Sequence, residues 1–318
     1  MVDRASNPDI RAIHELAVQV LPGLEISAVE RVDEGVSTFV YRVSYRRAVF
    51  YLRVLPEAGA SFAPEVSIHR RLRDAGVKVP DVIHFEHLNQ ALQRSVMIIS
   101  EIRGCQIGHH LGEQHRRDIL IEAGRDLAMI NSIPVDGFGW IRRDIGNTSD
   151  LVAEHPTFQP FAFEHLNDDL QLLGTSVFTV DEIATIRDTI TRSAPMFSSD
   201  RGWLAHGDFD VTHIYQFNGR YSGIIDFGEI RGADSLYDLA HFKLHDGETI
   251  ASQFLPDLLE GYRQVTPRSD DIEQRITPTC LLIGIRTLAR HVRQRPRTDH
   301  LRAHVTAAVR ECVEELSA

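Results

Sequence analysis

Two acidic residues, Asp208 and Asp226, close two short apolar stretches, Leu204-Ala205 and Tyr221–Ile225, that flank an Asn218-Gly219 dipeptide. Asn-Gly is the strongest local signal for a two-residue hairpin, because both turn positions take positive φ and these residues accept it. Folding the ribbon back at that point brings the two carboxylates together, with His213 between them in the chain.

The order His206-Gly207-Asp208, then His213, then Asp226-Phe227-Gly228 supplies the parts for phosphoryl transfer. A carboxylate on a loop after a strand takes the proton of an attacking hydroxyl, while a downstream ligand and an Asp-Phe-Gly aspartate hold a metal on the phosphates, as in protein kinases. Taken singly, an aspartate after a strand is usually a turn residue, and Asp-Phe-Gly arises by chance in many chains. The ordered combination carries the reading.

At these residues the chain resembles the aminoglycoside phosphotransferase family, antibiotic kinases related in fold to protein kinases. The hairpin together with Asp234-Ser235-Leu236-Tyr237-Asp238-Leu239 is most similar to hygromycin B phosphotransferases; His213, where most of the family has Asn, resembles macrolide phosphotransferases. The resemblance implies an α+β, bilobal protein-kinase-like fold with a five-stranded antiparallel sheet in the N-lobe and a mostly helical C-lobe. It also implies ATP or GTP and Mg2+ as cofactors, and a small-molecule alcohol as substrate. An aminoglycoside-type antibiotic is the first acceptor it suggests, with antibiotic resistance as the outcome. The alternatives are a macrolide or small-metabolite kinase of the same fold, or a catalytically silent kinase-fold binding protein.

Length and composition agree. At 318 residues and 43% hydrophobic, the chain is long enough for two lobes sharing a cleft. A formal net charge of −11 argues against a nucleic-acid partner, which demands a basic face; it suits a cationic small molecule, and solubility accounts for it as well. Cys105, Cys280 and Cys312 are odd in number and far apart, so neither a disulfide framework nor zinc is indicated, and a reducing cytoplasm is expected. No apolar run approaches the length of a membrane span. The protein is expected to act as a monomer or homodimer, without membrane partners.

Along the chain, Asn7-Pro8 reads as a cap followed by proline at the first helical position, ahead of Ile10, Ile13, Leu16, Ala17 and Val20 at helical spacing. Residues 26–32, 39–45 and 48–54 read as strands. Between the first two, Gly35, Val36 and Ser37 form either an ordinary hairpin turn or, in a kinase-like lobe, a cover for the nucleotide phosphates. Arg53 stands where that fold has its phosphate-binding lysine, and its guanidinium pairs a carboxylate and a phosphate equally well. Glu65, in the first turn of a helix over 63–74, is the candidate partner for Arg53, although a glutamate there also suits the helix dipole. Strands over 82–87 and 95–100 complete the sheet, and the family's backbone contacts to the nucleotide base fall at Glu101 and Ile102. The N-terminal nucleotide-binding lobe is assigned to 1–103 and the C-terminal lobe, with the catalytic loop and acceptor site, to 104–318.

In the second lobe a helix is expected over 114–132, a turn-rich break at Asp136–Trp140, and an inserted substrate-side segment over 148–179. Thr179-Val-Asp-Glu182 is a capping box. Helices over 250–262, 272–292 and 299–315 complete the chain. The resemblance makes Asp208 the catalytic base, Asp226 the principal metal ligand and His213 the second, and it uses Asp238 to brace the catalytic loop. His206 most simply braces that loop too. Imidazole is a poor ligand for magnesium, so three outcomes stand at His213: a softer metal, a weak second site, or oxygen from Asp210. Asp210 and Glu229 are close enough in sequence to touch metal or acceptor. Arg286, Arg290, Arg293, Arg295, Arg297 and Arg302 form either a solvated face or a wall of the acceptor pocket; in the second case a polycation would be a poor substrate.

Overall fold

The computed structural model describes residues 7–21, 26–32, 38–46, 48–108, 111–144, 146, 150–197, 199–266, 272–294 and 300–317. Gly35, Val36 and Ser37 lie outside them, as do Arg295 and Arg297.

Alternating β-branched and aromatic residues build the first sheet: β1 (Ala28–Val32), β2 (Phe39–Tyr45), β3 (Ala48–Val54), β4 (Val82–Asn89) and β5 (Arg94–Ser100). The order is β1-β2-β3-β5-β4, and every pairing is antiparallel. One face packs against α1 (Ile10–Val20) through Ile13, Leu16 and Ala17, which meet Tyr41, Val43 and Leu52. Its cap is Asp9, whose carboxylate accepts from the Arg11 N–H at 3.0 Å, and not Asn7; the helix begins at Ile10 rather than at Pro8. The other face packs against α2 (Ala63–Asp74) through Phe62 and Val66, against Leu55, Met97 and Ile99. Ile68 and Leu72 of the same helix join the large core of the remaining chain. Thus α2 is the element that both lobes grip.

The second lobe is less purely helical than its sequence suggests. It carries β6 (Cys105–Gln106), α3 (Glu113–Ile130), β7 (Pro134–Val135), β8 (Phe138–Ile141), β9 (Ala153–His155), α4 (Phe158–Phe163), α5 (Leu166–Gly174) and α6 (Val180–Ser193), then β10 (Gly202–Ala205), β11 (Ile214–Phe217), β12 (Arg220–Ile224) and β13 (Arg231–Ala233). The segment expected as a turn-rich break at Asp136–Trp140 supplies part of a second five-stranded sheet, β7-β10-β13-β8-β9. Strands of two to four residues are too short to show a period of two, and glycines obscured what remained. Those glycines permit close backbone approach: a Cβ on Gly232 would lie 2.3 Å from the Gly137 carbonyl oxygen.

Helices α7 (Tyr237–His245), α8 (Leu255–Val265), α9 (Ile272–Gln294) and α10 (His300–Glu315) follow. The α8 helix starts at Leu255, not near residue 250, because the Asp246 carboxylate accepts from the Phe254 and Leu255 N–H groups (3.0 and 2.9 Å) and Pro256 follows. The Thr179–Glu182 capping box has both of its hydrogen bonds. Among the described residues, no helix is long and apolar enough to cross a membrane.

Candidate active site

The Asn218-Gly219 turn is present. Both residues have positive φ (52° and 74°), and β11 and β12 pair antiparallel around them. The hairpin also pairs with β6, so the segment after β5 runs across it. There Gly104, at φ +108°, has no room for a side chain; its Cβ would fall 1.8 Å from the Gln216 carbonyl oxygen. Glu101 and Ile102 lie in this crossing, with the Glu101 N–H donating to Val49 O at 3.3 Å.

The loop after β10 is held from below by one carboxylate. Asp238, fully buried on α7, accepts from the backbone N–H of His206 (2.7 Å), the N–H of Gly207 (2.9 Å) and the Asn131 side chain (2.7 Å). Gly207 has φ +90°, and a Cβ there would lie 2.0 Å from Glu229 O, so the loop passes tightly over the Asp226–Glu229 segment. His206 Nε2 donates to Ile225 O at 2.8 Å, tying the two arms together.

Asp226 itself takes the left-handed conformation (φ 63°, ψ 70°), which Asp tolerates better than most residues. Its Oδ1 accepts from Gly228 N at 3.2 Å, so the side chain closes its own turn. The residue as a whole is exposed. Burial of its carboxylate pushes the pKa up, but the charges of Arg53, His213 and His206 outweigh this and hold it below the ordinary value. Behind it, Phe227 is fully buried, with the rings of His69 and His206 edge-on to it at 4.9 Å each.

His69 is neutral in this stack. Burial, followed by the Arg53 charge, pushes its pKa from 6.5 down to about 3. Because the folded value is depressed, the unfolded chain binds more protons between these limits, and stability is lost as pH falls through that window. His69→Gln is expected to remove up to about 1.4 kcal/mol per pH unit of this slope, measured by urea unfolding at successive pH values below neutral.

Arg53 and Glu65 form a buried ion pair, 5% and 1% exposed. Sequence reasoning missed a second arginine at the same carboxylate. Arg143, on the loop after β8, donates to Glu65 Oε2 and to Gly228 O, both at 3.2 Å. Both guanidinium groups lie over the Phe62 ring, at 5.4 and 5.9 Å. One glutamate of α2 therefore joins β3 to the Asp-Phe-Gly segment of the other lobe. An arginine in a loop within an arginine-rich chain leaves no spacing signal, so Arg143 was invisible in one dimension.

The Asp208 side chain is 48% exposed, with Oδ1 3.5 Å from His241 Nε2. This contact is not a salt bridge, since burial, followed by the His245 charge, pushes His241 down to about 3. His241 Nδ1 donates to Phe209 O at 3.1 Å, which leaves an unprotonated Nε2 toward Asp208. His241 was also unforeseen, although it lies one helical turn beyond Asp238 on α7.

His213 Nδ1 donates to Asp210 Oδ1 at 3.0 Å, so only Nε2 is left for a metal. Burial lowers the His213 pKa, but Asp210, Asp208 and Asp226 together raise it above its ordinary value. Without a cation, these carboxylates favour the protonated imidazole. Asp210 is taken up locally: its Oδ1 also accepts from Thr212 N (2.7 Å) and Thr212 Oγ1 (2.5 Å). It does not line the cavity beside Asp208. Glu229 does, with Oε2 3.4 Å from Arg231 Nη2. Burial raises the Glu229 pKa; Arg231 and Arg290 oppose this, and Asp208 and Asp226 add to it. The charges of Asp208 and Asp226 thus both bear on His213 and on Glu229.

That cavity measures about 410 Å³ and opens beside Asp208. Trp140, 42% exposed, forms one flat side, with the Arg231 guanidinium 4.4 Å from its ring centroid. The segment read as a substrate-side insertion contributes Glu154, His155, Phe161, Glu164 and Asp169, and the opposite side comes from α9.

Among the described residues, no three His, Cys, Asp or Glu side chains converge tightly enough to enclose a metal ion. Asp226 and His213 Nε2 are the donors left for a cation, which would have to complete its shell with other oxygens.

Two lobes joined through α2, with paired acids on a hairpin, define a phosphotransferase of the protein-kinase-like class. The chain belongs to the APH phosphotransferase enzyme family, whose profile it matches over residues 28–272. Among solved structures it is similar to aminoglycoside phosphotransferase APH(4)-Ia, with a TM-score of 0.68 at 16% identity over 96% of this chain and 99% of that one. It is also similar to a putative fructosamine-3-kinase from Thermobifida fusca YX-ER1 (TM-score 0.61, 15% identity, 94% and 98% covered). A third is amicoumacin kinase hAmiN in complex with AMP-PNP, Ca2+ and Ami (TM-score 0.63, 13% identity, 97% and 94% covered). At these identities the structural likenesses establish the fold alone.

Proposed function

We propose that the protein is a nucleotide-dependent O-phosphotransferase acting on a hydroxyl of a small molecule. The single observation that carries this reading is the Asp208 loop, tied to the Asp226-Phe227-Gly228 arm by the His206–Ile225 hydrogen bond and opening with Glu229 on a cavity of about 410 Å³, a volume suited to a small ligand. Family membership supports it, as does APH(4)-Ia, a protein of the same fold, solved with ADP and hygromycin B.

In this reading residues 1–103 hold the nucleotide and 104–318 the acceptor. The backbone at Glu101 and Ile102 meets the base, and Gly35 to Ser37 cover the phosphates. Arg53, oriented by Glu65, pairs with a phosphate oxygen. Asp208 orients the acceptor hydroxyl in line and takes its proton. Asp226 would be the principal ligand for Mg2+, with the neutral His213 Nε2 as a second. Magnesium, when bound, neutralises charge on the phosphates.

An aminoglycoside-type antibiotic is the first acceptor class that the hygromycin-like pattern suggests, and the acidic Glu154 and Glu164 on the cavity lip agree with its amines. The macrolide-like His213 keeps a macrolide among the candidates. A small-metabolite alcohol is the second reading, favoured by the arginines on the α9 side. A screen of aminoglycosides, macrolides and metabolite alcohols, with ATP or GTP and magnesium, tests the assignment. Phosphorylation of at least one acceptor and a magnesium-dependent thermal shift with ATP or GTP are expected. Absence of both would leave a silent kinase-fold binding protein.

A further inference from the structure

The α9 helix presents Arg286, Arg290 and Arg293 to the cavity beside Asp208, at positions i, i+4 and i+7, which fall on one helical face. Their charges are unevenly matched. Arg293 pairs at 2.5 Å with Asp169, a carboxylate only 3% exposed. Arg231, on the sheet side, is matched by Glu229. Arg286 is held by neutral groups: Nη2 donates to Phe161 O at 2.8 Å, and the guanidinium lies 5.4 Å from the Phe161 ring centroid. Arg290 is exposed. Among the described residues, neither Arg286 nor Arg290 has a carboxylate within ion-pair distance.

Two unmatched guanidinium groups one helical turn apart form a binding surface for an oxyanion, since each offers forked N–H donors to a carboxylate or phosphate. Arg286 is already fixed by Phe161, so little side-chain freedom is lost when it binds. Electrically the surface reaches the reacting centre, because Glu229 feels both Arg290 and Asp208. Acids remain on the facing lip, where Glu164 lies 3.6 Å from both His155 and His165. An ammonium group is accommodated there, but a polycation also meets Arg286 and Arg290, which have no carboxylate within ion-pair distance among the described residues.

We propose that the acceptor carries an anionic group, a carboxylate or a phosphate ester, seated on Arg286 and Arg290 while its hydroxyl lies at Asp208. This rests on the phosphotransferase reading and selects among its acceptors. The full chain would be assayed with saturating nucleotide and magnesium on matched alcohols: glucose, glucosamine, gluconate, glucose 6-phosphate, serine and serine methyl ester, beside kanamycin. Gluconate, glucose 6-phosphate or serine is expected to be phosphorylated with a higher kcat/KM than its neutral or cationic counterpart. Preference for the phosphate ester over both carboxylates, or the reverse, identifies the anion. Arg290→Gln and Arg286→Lys, which keeps the charge and loses the fork, are each expected to raise the acceptor KM by about 10- to 100-fold, with the nucleotide KM unchanged. Turnover confined to neutral or cationic members, or of none, overturns the proposal. So does a rise in nucleotide KM in the arginine variants, which would assign them to the transferred phosphate. Failure of the underlying reading looks different: no magnesium-dependent stabilisation of the wild-type chain by ATP or GTP.

Discussion

Replacing Asp208 with Asn is expected to slow phosphoryl transfer by about 10²- to 10⁴-fold, the span associated with losing a positioned proton acceptor. The unfolding midpoint and the nucleotide-induced thermal shift are expected to stay where they were. The Asp208 side chain is 48% exposed, and it does not hold the loop in shape. That work falls to Asp238, which accepts from the backbone on either side of the His206-Gly207 bond. Asn matches Asp in shape, so the acceptor is still seated but its hydroxyl keeps its proton. Steady-state kinetics beside thermal unfolding read both halves of the expectation. An active Asp208→Asn enzyme would remove this carboxylate from the chemistry.

Glu65→Ala is expected to cost about 3–5 kcal/mol of folding stability, the range for stranding a buried charge. It is also expected to abolish productive nucleotide binding. Arg53 is 5% exposed and loses its ion-pair partner, while Arg143 loses one of two acceptors. Arg143→Ala is milder, roughly 1–3 kcal/mol, because Glu65 keeps Arg53 while losing one donor, and the link to Gly228 is broken. Urea unfolding of both single variants and the double variant gives the coupling. If the two arginines share one carboxylate, the losses are strongly non-additive. Additive losses would mean that Arg143 acts elsewhere, through Phe62 or Gly228.

The N-terminal sheet was legible because its elements are long enough to show their period. Strands over 39–45 and 48–54 and the helix over 63–74 have the bounds expected of them. The second sheet was not, because its strands are two to four residues long and pass close over one another at glycines.

Contiguous motifs, by contrast, kept their meaning. Asn218-Gly219 determined a turn from local backbone preference alone, and the order Asp208, His213, Asp226 determined the chemistry worth looking for, since each residue type has an intrinsic affinity for protons or metal. Only the tertiary structure decided which charges are matched. It gave Glu65 a second arginine from 78 residues away, closed Asp210 onto its own turn, and left Arg286 and Arg290 facing the cavity without carboxylate partners among the described residues. Charge pairing depends on distance through space, and a linear sequence carries no record of that distance.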